Sequence, residues 1–327
     1  MVEGFDFEID RVVGVIRETG CSKVLLQFPE GLKRQAPDVA RAIGEKVDAT
    51  VMISGEPCFG ACDIPDTDAD LIVHYGHLPI PSLATPKSVL YVQLRSDAGP
   101  TPVLDMALPS LNGRIGLLTT AQHIHLLGDM LEYLRSKGVD AVAGKGDSRL
   151  YAEGQVLGCN ASSARAVAEN VDAFLFVGTG NFHALAVALA TSKPVLVADP
   201  VSRDVTDIAQ AKDRLLRQRH AAIERARNAR RIGIIISSKH GQKREAVARH
   251  IFEISKDAGL EPVLVEMDQV TPAKLENMGL DAWVSTACPR LAIDEYRAFP
   301  VPILTPPEAE ILLGKRLWAQ YIFDEIV

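Results

Sequence analysis

Cysteine is scarce in this chain of 327 residues: there are five, at positions 21, 58, 62, 159 and 288. An odd number at irregular spacing excludes the disulfide framework of a small secreted domain. Such thiols belong to a reducing compartment, where they are free for burial, metal binding or catalysis. Long apolar runs are missing as well. None approaches the roughly 20 residues that cross a bilayer, and the opening MVEGFDFEID has no basic region followed by an apolar one, as a secretory signal would. The expected location is the cytoplasm, with no membrane partner. Basic charge is also in deficit, with 35 Lys and Arg against 42 Asp and Glu and a net charge of −7. That balance argues against a general nucleic-acid binder, so no direct nucleic-acid partner is expected.

What is present is an ordinary globular composition, 47% apolar and 24% charged, on a chain long enough for two or three compact units. The densest basic segment, KDRLLRQRHAAIERARNARR at 212–231, carries Leu215, Leu216, Ile223 and Ala226 at near-helical spacing. It reads as a connecting helix whose charges form a solvated face or a docking surface for a protein.

Short β-branched runs alternate with amphipathic helical patterns from end to end, the signature of parallel α/β structure. The runs fall into three sets. A first strand with its loop and helix recurs in CSKVLLQFPEGLKR, GRIGLLTTAQHIHLL and RIGIIISSKHGQKREA. A third strand recurs in ADLIVHYGH, DAFLFVGTG and DAWVSTACP, and a closing strand in SVLYVQL, KPVLVADP and VPILTPPE. The expected architecture is three related small parallel-sheet α/β domains around a pseudo-threefold axis, spanning residues 1–105, 106–210 and 211–327. On this plan Cys62 follows the second strand of the first copy, DATVMISG. Cys159 follows the second strand of the second copy, in QVLGCNASS, and Cys288 follows the third strand of the third copy, in WVSTACPRL. Each domain thus offers one cysteine past the carboxyl end of a strand, the edge where open α/β sheets bind ligands.

Polar residues gather at the same edge. They are Gln27 and Glu30 in the first copy, Gln122, His123 and His125 in the second, and His240 and Gln242 in the third. The loops GKGDSR (144–149) and GTGNFH (178–183) add glycines that serve either plain turn chemistry or close approach to a ligand. Structural zinc prefers two close ligand pairs, and the lone C-x3-C of Cys58 and Cys62 supplies one. A thioredoxin-like pair would be C-x-x-C. Three thiols presented singly by three domains suit an iron–sulfur cluster with one open iron; the alternative is three unrelated, half-buried cysteines.

The segments GEPCFGACD, TTAQHIH, GKGDSR, GQVLGCN, GTGNFH, ACPRLAID and LTPPEAEILLG, in this order, closely resemble the archaeal diphthamide synthase family over nearly the whole chain. The resemblance implies a homodimeric enzyme whose [4Fe–4S] cluster is held by Cys62, Cys159 and Cys288. It implies transfer of the 3-amino-3-carboxypropyl group of S-adenosyl-L-methionine to the imidazole C2 of a histidine in archaeal translation elongation factor 2, with an unidentified electron donor. The cluster ligand of the family's Y/F-G-A-C segment falls on Cys62, so Cys58 is read as a neighbour or a fallback ligand. Phe59 stands where the family commonly has tyrosine. Candidate cofactor-binding residues are Gln27, Gln122, His123, Asp147, Arg149, Gly178, Gly180, His183, Asp199, Gln242 and Arg290, each with an interdomain hydrogen bond as its alternative role. Competing expectations are a quinolinate-synthase-like [4Fe–4S] dehydratase, against which TTAQHIH and GQVLGCN weigh, and a non-catalytic iron–sulfur partner subunit.

Overall fold

The same strand order is built three times. The computed structural model describes residues 5–85, 87–96 and 98–326. The first sheet comprises β1 (Lys23–Gln27), β2 (Thr50–Ile53), β3 (Leu71–Tyr75) and β4 (Ser88–Val92), all parallel in the order β2-β1-β3-β4. The second has β5 (Arg114–Thr119), β6 (Asp140–Val142), β7 (Ala173–Val177) and β8 (Val195–Asp199) in the equivalent order β6-β5-β7-β8. It adds an antiparallel edge strand, β9 (Asp204–Asp207). The third repeats the pattern as β11-β10-β12-β13, from β10 (Arg231–Ser237), β11 (Glu261–Met267), β12 (Ala282–Ser285) and β13 (Ile303–Leu304). The family of three α/β units expected from the sequence is therefore present in the fold.

One anchoring device recurs with them. An aspartate immediately precedes the third strand of each unit, and its carboxylate accepts hydrogen bonds from backbone N–H groups that open the first strand. Asp70 accepts from Ser22 and Lys23, Asp172 from Arg114, and Asp281 from Arg230 and Arg231. These bonds pin the register of the two central strands at their amino ends. The loop bearing Cys288 begins at the carboxyl end of one of these strands, β12, whereas that of Cys62 begins after the edge strand β2.

Each sheet is covered on its faces by helices, and the cores follow the period-two alternation. In the first unit Val24, Leu26, Val73 and Tyr75 face a core shared with Val12, Val13 and Ile16 of the helix Ile9–Thr19. Gln27 and His74 face the opposite way. Helix Thr101–Ala107 packs Val103, Leu104 and Ala107 into the core of the second unit. A division at 105 therefore cuts through this helix, and one at 210 falls in the first turn of the helix Ala209–Ala226.

That helix is the basic segment singled out in the sequence, and it is only partly a solvated face. Arg219 is fully buried. Its guanidinium makes two bonds to the Glu308 carboxylate, at 2.8 and 2.7 Å, and donates to the carbonyls of Ala292 and Ile303. Glu308 in turn accepts from the backbone of Thr305 at 2.9 Å, closing a capping box at the start of the helix Pro306–Leu312. Among the described residues no helix is long and apolar enough to cross a membrane.

Candidate metal centre

The three domain cysteines come within electrostatic reach of one another where the three units adjoin. Cys62 sits in the long loop after β2, and Cys288 three residues past β12. Cys159 differs from the expectation in how it is reached. The second strand of its unit is β6, which stops at Val142, and QVLGCN is a loop rather than a strand. Gln155 forms a single bridge to Thr119, and Leu157 pairs with Asn160 around the turn that presents Cys159. Beyond β6 the chain passes Gly144, where a Cβ would lie 2.0 Å from the Ser163 carbonyl, so only glycine fits there.

Burial pushes the Cys159 thiol up to about 12, and proximity to Cys62 adds to the shift, against the guanidinium of Arg149. Cys288 is raised by burial and then by Cys159 and Cys62. Cys62 is raised by burial, an effect partly offset by the Gln242 amide, which donates to its sulfur at 3.3 Å. Three half-buried thiols within electrostatic reach of one another stay neutral unless a cation offsets their mutual repulsion. This donor set fits a thiolate-bound, positively charged iron centre.

Contacts between units hold the thiols in place. Lys239, after β10, reaches the Asp63 carboxylate of the first unit at 2.7 Å in a buried pair. At Gly241 a Cβ would lie 2.5 Å from the Cβ of Cys62 and 2.6 Å from its Cα, so only glycine lets the third unit approach this closely. Arg149 donates from the second unit to the carbonyl of Gly241 at 3.2 Å, while its Nε is buried with no partner among the described residues. The final residues clamp Cys159: the Ile326 N–H donates to its carbonyl at 2.8 Å, and Glu325 accepts from Ala161 and Arg165. Arg244 fixes that tail through a bidentate pair with Asp324 at 2.8 and 2.7 Å.

Beside Cys288 lies a cavity of about 300 Å³. Its lining includes Phe59, Lys239, Gln242, Asp268, Arg290 and Glu295. One wall is thus aromatic and the rest carries both signs of charge.

The polar candidates divide by position. Gln242 is in the cavity wall and on Cys62, and Arg290 is in the wall, stacked 4.9 Å over the ring of Phe182 and paired with Asp294 at 3.0 Å. Arg149 is on the cysteines. Gln27 is buried and used up in structure: its amide donates to the Asp63 carbonyl at 2.6 Å and accepts from His74. Gln122 is exposed, and its backbone carbonyl accepts from Ser96 of the first unit. Asp147 accepts from Asn160 and from the Arg149 backbone, shaping the Cys159 loop. Asp199 accepts from Thr179 and from the backbone of Val201 and Ser202. His183 stacks on Phe176, and burial brings it down to about 4. His123 is buried with both ring nitrogens unpartnered among the described residues, and burial lowers its basicity. Gly180 has φ 78°, and a Cβ at Gly178 would lie 2.9 Å from the Phe176 ring, so turn geometry and packing account for both glycines. Among the loop histidines, His240 and His125 are exposed.

Sequence reasoning passed over Asp63, Lys239, Arg244, Asp324, Asp268 and Glu295. Lys239 stands beside the quoted His240, but its partner lies 176 positions away.

Comparison with known proteins agrees with this geometry. A family described as "Putative diphthamide synthesis protein" matches residues 28–322. The 2-(3-amino-3-carboxypropyl)histidine synthase of Pyrococcus horikoshii is 39% identical over 95% of this chain and 91% of its own length. Subunit 1 of the Homo sapiens synthase is 31% identical over 97% of this chain and 74% of its own. The crystal structure of Dph2 from Pyrococcus horikoshii with a 4Fe–4S cluster superposes with a TM-score of 0.91. It is 36% identical and the match covers 99% of this chain and 95% of that one.

Proposed function

This chain belongs to the diphthamide synthesis protein family, and from that premise we propose that it is a 2-(3-amino-3-carboxypropyl)histidine synthase. In this reading it moves the 3-amino-3-carboxypropyl group of S-adenosyl-L-methionine to C2 of one histidine in archaeal elongation factor 2, the first step of diphthamide synthesis. The observation that carries the reading is the approach of three half-buried cysteines, one from each unit, on a fold shared with a cluster-bearing relative.

Cys62, Cys159 and Cys288 would hold three irons of a [4Fe–4S] cluster. When bound and reduced, that group supplies a single electron to a sulfonium, a step that imidazole carbon, a poor nucleophile, cannot replace by polar attack. The protein's own task is to choose which of three carbon–sulfur bonds faces the iron, and it does so by pose. The cavity beside Cys288 offers that selection. Lys239 and Arg290 suit the substrate carboxylate, Asp268 and Glu295 suit its ammonium, and the Phe59 ring suits the carbon chain between them. The Nε of Arg149 is a buried donor without a partner among the described residues, and Gln242 steadies the Cys62 sulfur. The active form is a cytoplasmic homodimer that draws its electron from a separate donor.

Anaerobic reduction with dithionite in the presence of S-adenosyl-L-methionine tests the pose. The expected nucleoside product is 5′-methylthioadenosine. 5′-Deoxyadenosine as the main product would place the wrong carbon at the iron, and no consumption at all would favour a dehydratase or a non-catalytic subunit.

A further inference from the structure

One group of buried ligands lies outside the three domain cysteines. Gln27, His74 and Tyr91 stand in register across β1, β3 and β4, on the sheet face turned away from the first core. After β3 the chain turns at Gly76, whose φ of 84° and hydrogen bond to the Val92 carbonyl fold His77 back towards His74. The loop after β2 brings Cys58 to the same place. The Cys58 sulfur and one nitrogen from each histidine all lie within 4.8 Å of one another.

The hydrogen bonds fix which nitrogen is bare. The Gln27 amide donates to the Asp63 carbonyl at 2.6 Å, so its oxygen is the end that faces His74. That oxygen accepts from His74 Nδ1 at 2.7 Å, which leaves Nε2 of His74 as the unprotonated nitrogen, the acceptor for His77. Nε2 in turn lies 2.9 Å from Nδ1 of His77. A histidine that donates one nitrogen to a carbonyl and points the other at a second imidazole and a thiol has the arrangement of a metal ligand with its supporting hydrogen bond. The short nitrogen–nitrogen distance needs to open by only a few tenths of an ångström for both to reach an ion at about 2.1 Å in tetrahedral geometry.

We propose that Cys58, His74 and His77 form a second metal site, distinct from the cysteine junction, for a divalent ion of the zinc class. One sulfur and two imidazole nitrogens suit zinc or cobalt(II), and water completes the tetrahedron. Binding takes the Cys58 proton to solvent and moves the His77 proton from Nδ1 to Nε2, so one proton leaves per ion bound. The ion would tie the end of β3 to the loop that continues into Cys62.

The test uses zinc and cobalt(II) as probes on the full chain, under exclusion of oxygen. The wild-type protein with its iron intact should retain one zinc per chain after desalting, measured by mass spectrometry of the metals. So should a variant with Cys62, Cys159 and Cys288 all changed to serine, in which iron is lost. In the wild-type background, His77→Ala and Cys58→Ser should each weaken zinc binding roughly 10-fold or more while iron content stays near wild type. Cobalt(II) should show a thiolate charge-transfer band that disappears in Cys58→Ser. Should the triple variant fail to fold by circular dichroism, the wild-type and single-variant measurements decide alone. Zinc absent from the wild type, or zinc unchanged by both single substitutions, overturns the proposal and leaves the iron assignment untouched.

Discussion

Replacing Cys62, Cys159 or Cys288 by alanine is expected to remove most of the protein's bound iron after anaerobic reconstitution, and with it all product formation. Each unit offers one of these thiols, and the three lie within electrostatic reach of one another. No second thiol in the same loop can substitute for Cys159 or Cys288. Cys58 is the one cysteine near enough to Cys62 to compete, yet its sulfur is turned towards the histidine pair. Cys58→Ala is therefore expected to keep its iron. Iron assay and visible absorbance of the four variants check this together. Loss of iron in Cys58→Ala with retention in Cys62→Ala would show that the wrong thiol of the loop has been assigned.

Arg219→Leu is expected to cost about 3–5 kcal/mol of stability, because it leaves the Glu308 carboxylate buried and uncompensated. Two carbonyls, of Ala292 and Ile303, lose their donor at the same time. The pair joins the long connecting helix to the capping box of the last one, so the third unit should suffer most. Pairing Arg219→Leu with Glu308→Leu should recover part of the loss, since a buried ion pair exchanged for apolar groups is often close to neutral. Urea unfolding measures both. A loss below about 1 kcal/mol for the single variant would mean that water reaches the pair.

Much of this was legible in the sequence because the repeated elements are local. Whereas the aspartate ahead of each third strand acts on backbone about 50 positions away, the strands of CSKVLLQ, GRIGLLT and RIGIIIS are short-range signals, and all three units use them alike. The positions of Cys62 and Cys288 past strand ends were readable for the same reason. Cys159 was harder, since an apolar run ending in glycine looks like a strand, whereas Leu157 pairs with Asn160 across a turn. What joins the units was not legible at all. Lys239 with Asp63, Arg149 with Gly241, and the tail on Cys159 are contacts between residues far apart in the chain, and no local periodicity encodes them. The burial of Arg219 was hidden in the same way: amid so many basic neighbours, only its distant carboxylate distinguishes it. Of the edge residues, Gln27 and Asp147 turned out to be engaged with neighbouring chain, whereas Gln242 and Arg290 line the cavity.

The most direct test of the account follows the transferred group itself. Reduced, iron-loaded protein is incubated without oxygen with archaeal elongation factor 2 and S-adenosyl-L-methionine isotopically labelled in the aminocarboxypropyl carbons. The factor is then digested and its peptides are analysed by mass spectrometry. The account predicts label on a single histidine of the factor, none on a factor lacking that histidine, and none when Cys62, Cys159 or Cys288 of the enzyme is alanine. Label that persists in those cysteine variants, or no label from fully iron-loaded and reduced wild-type protein, would contradict it.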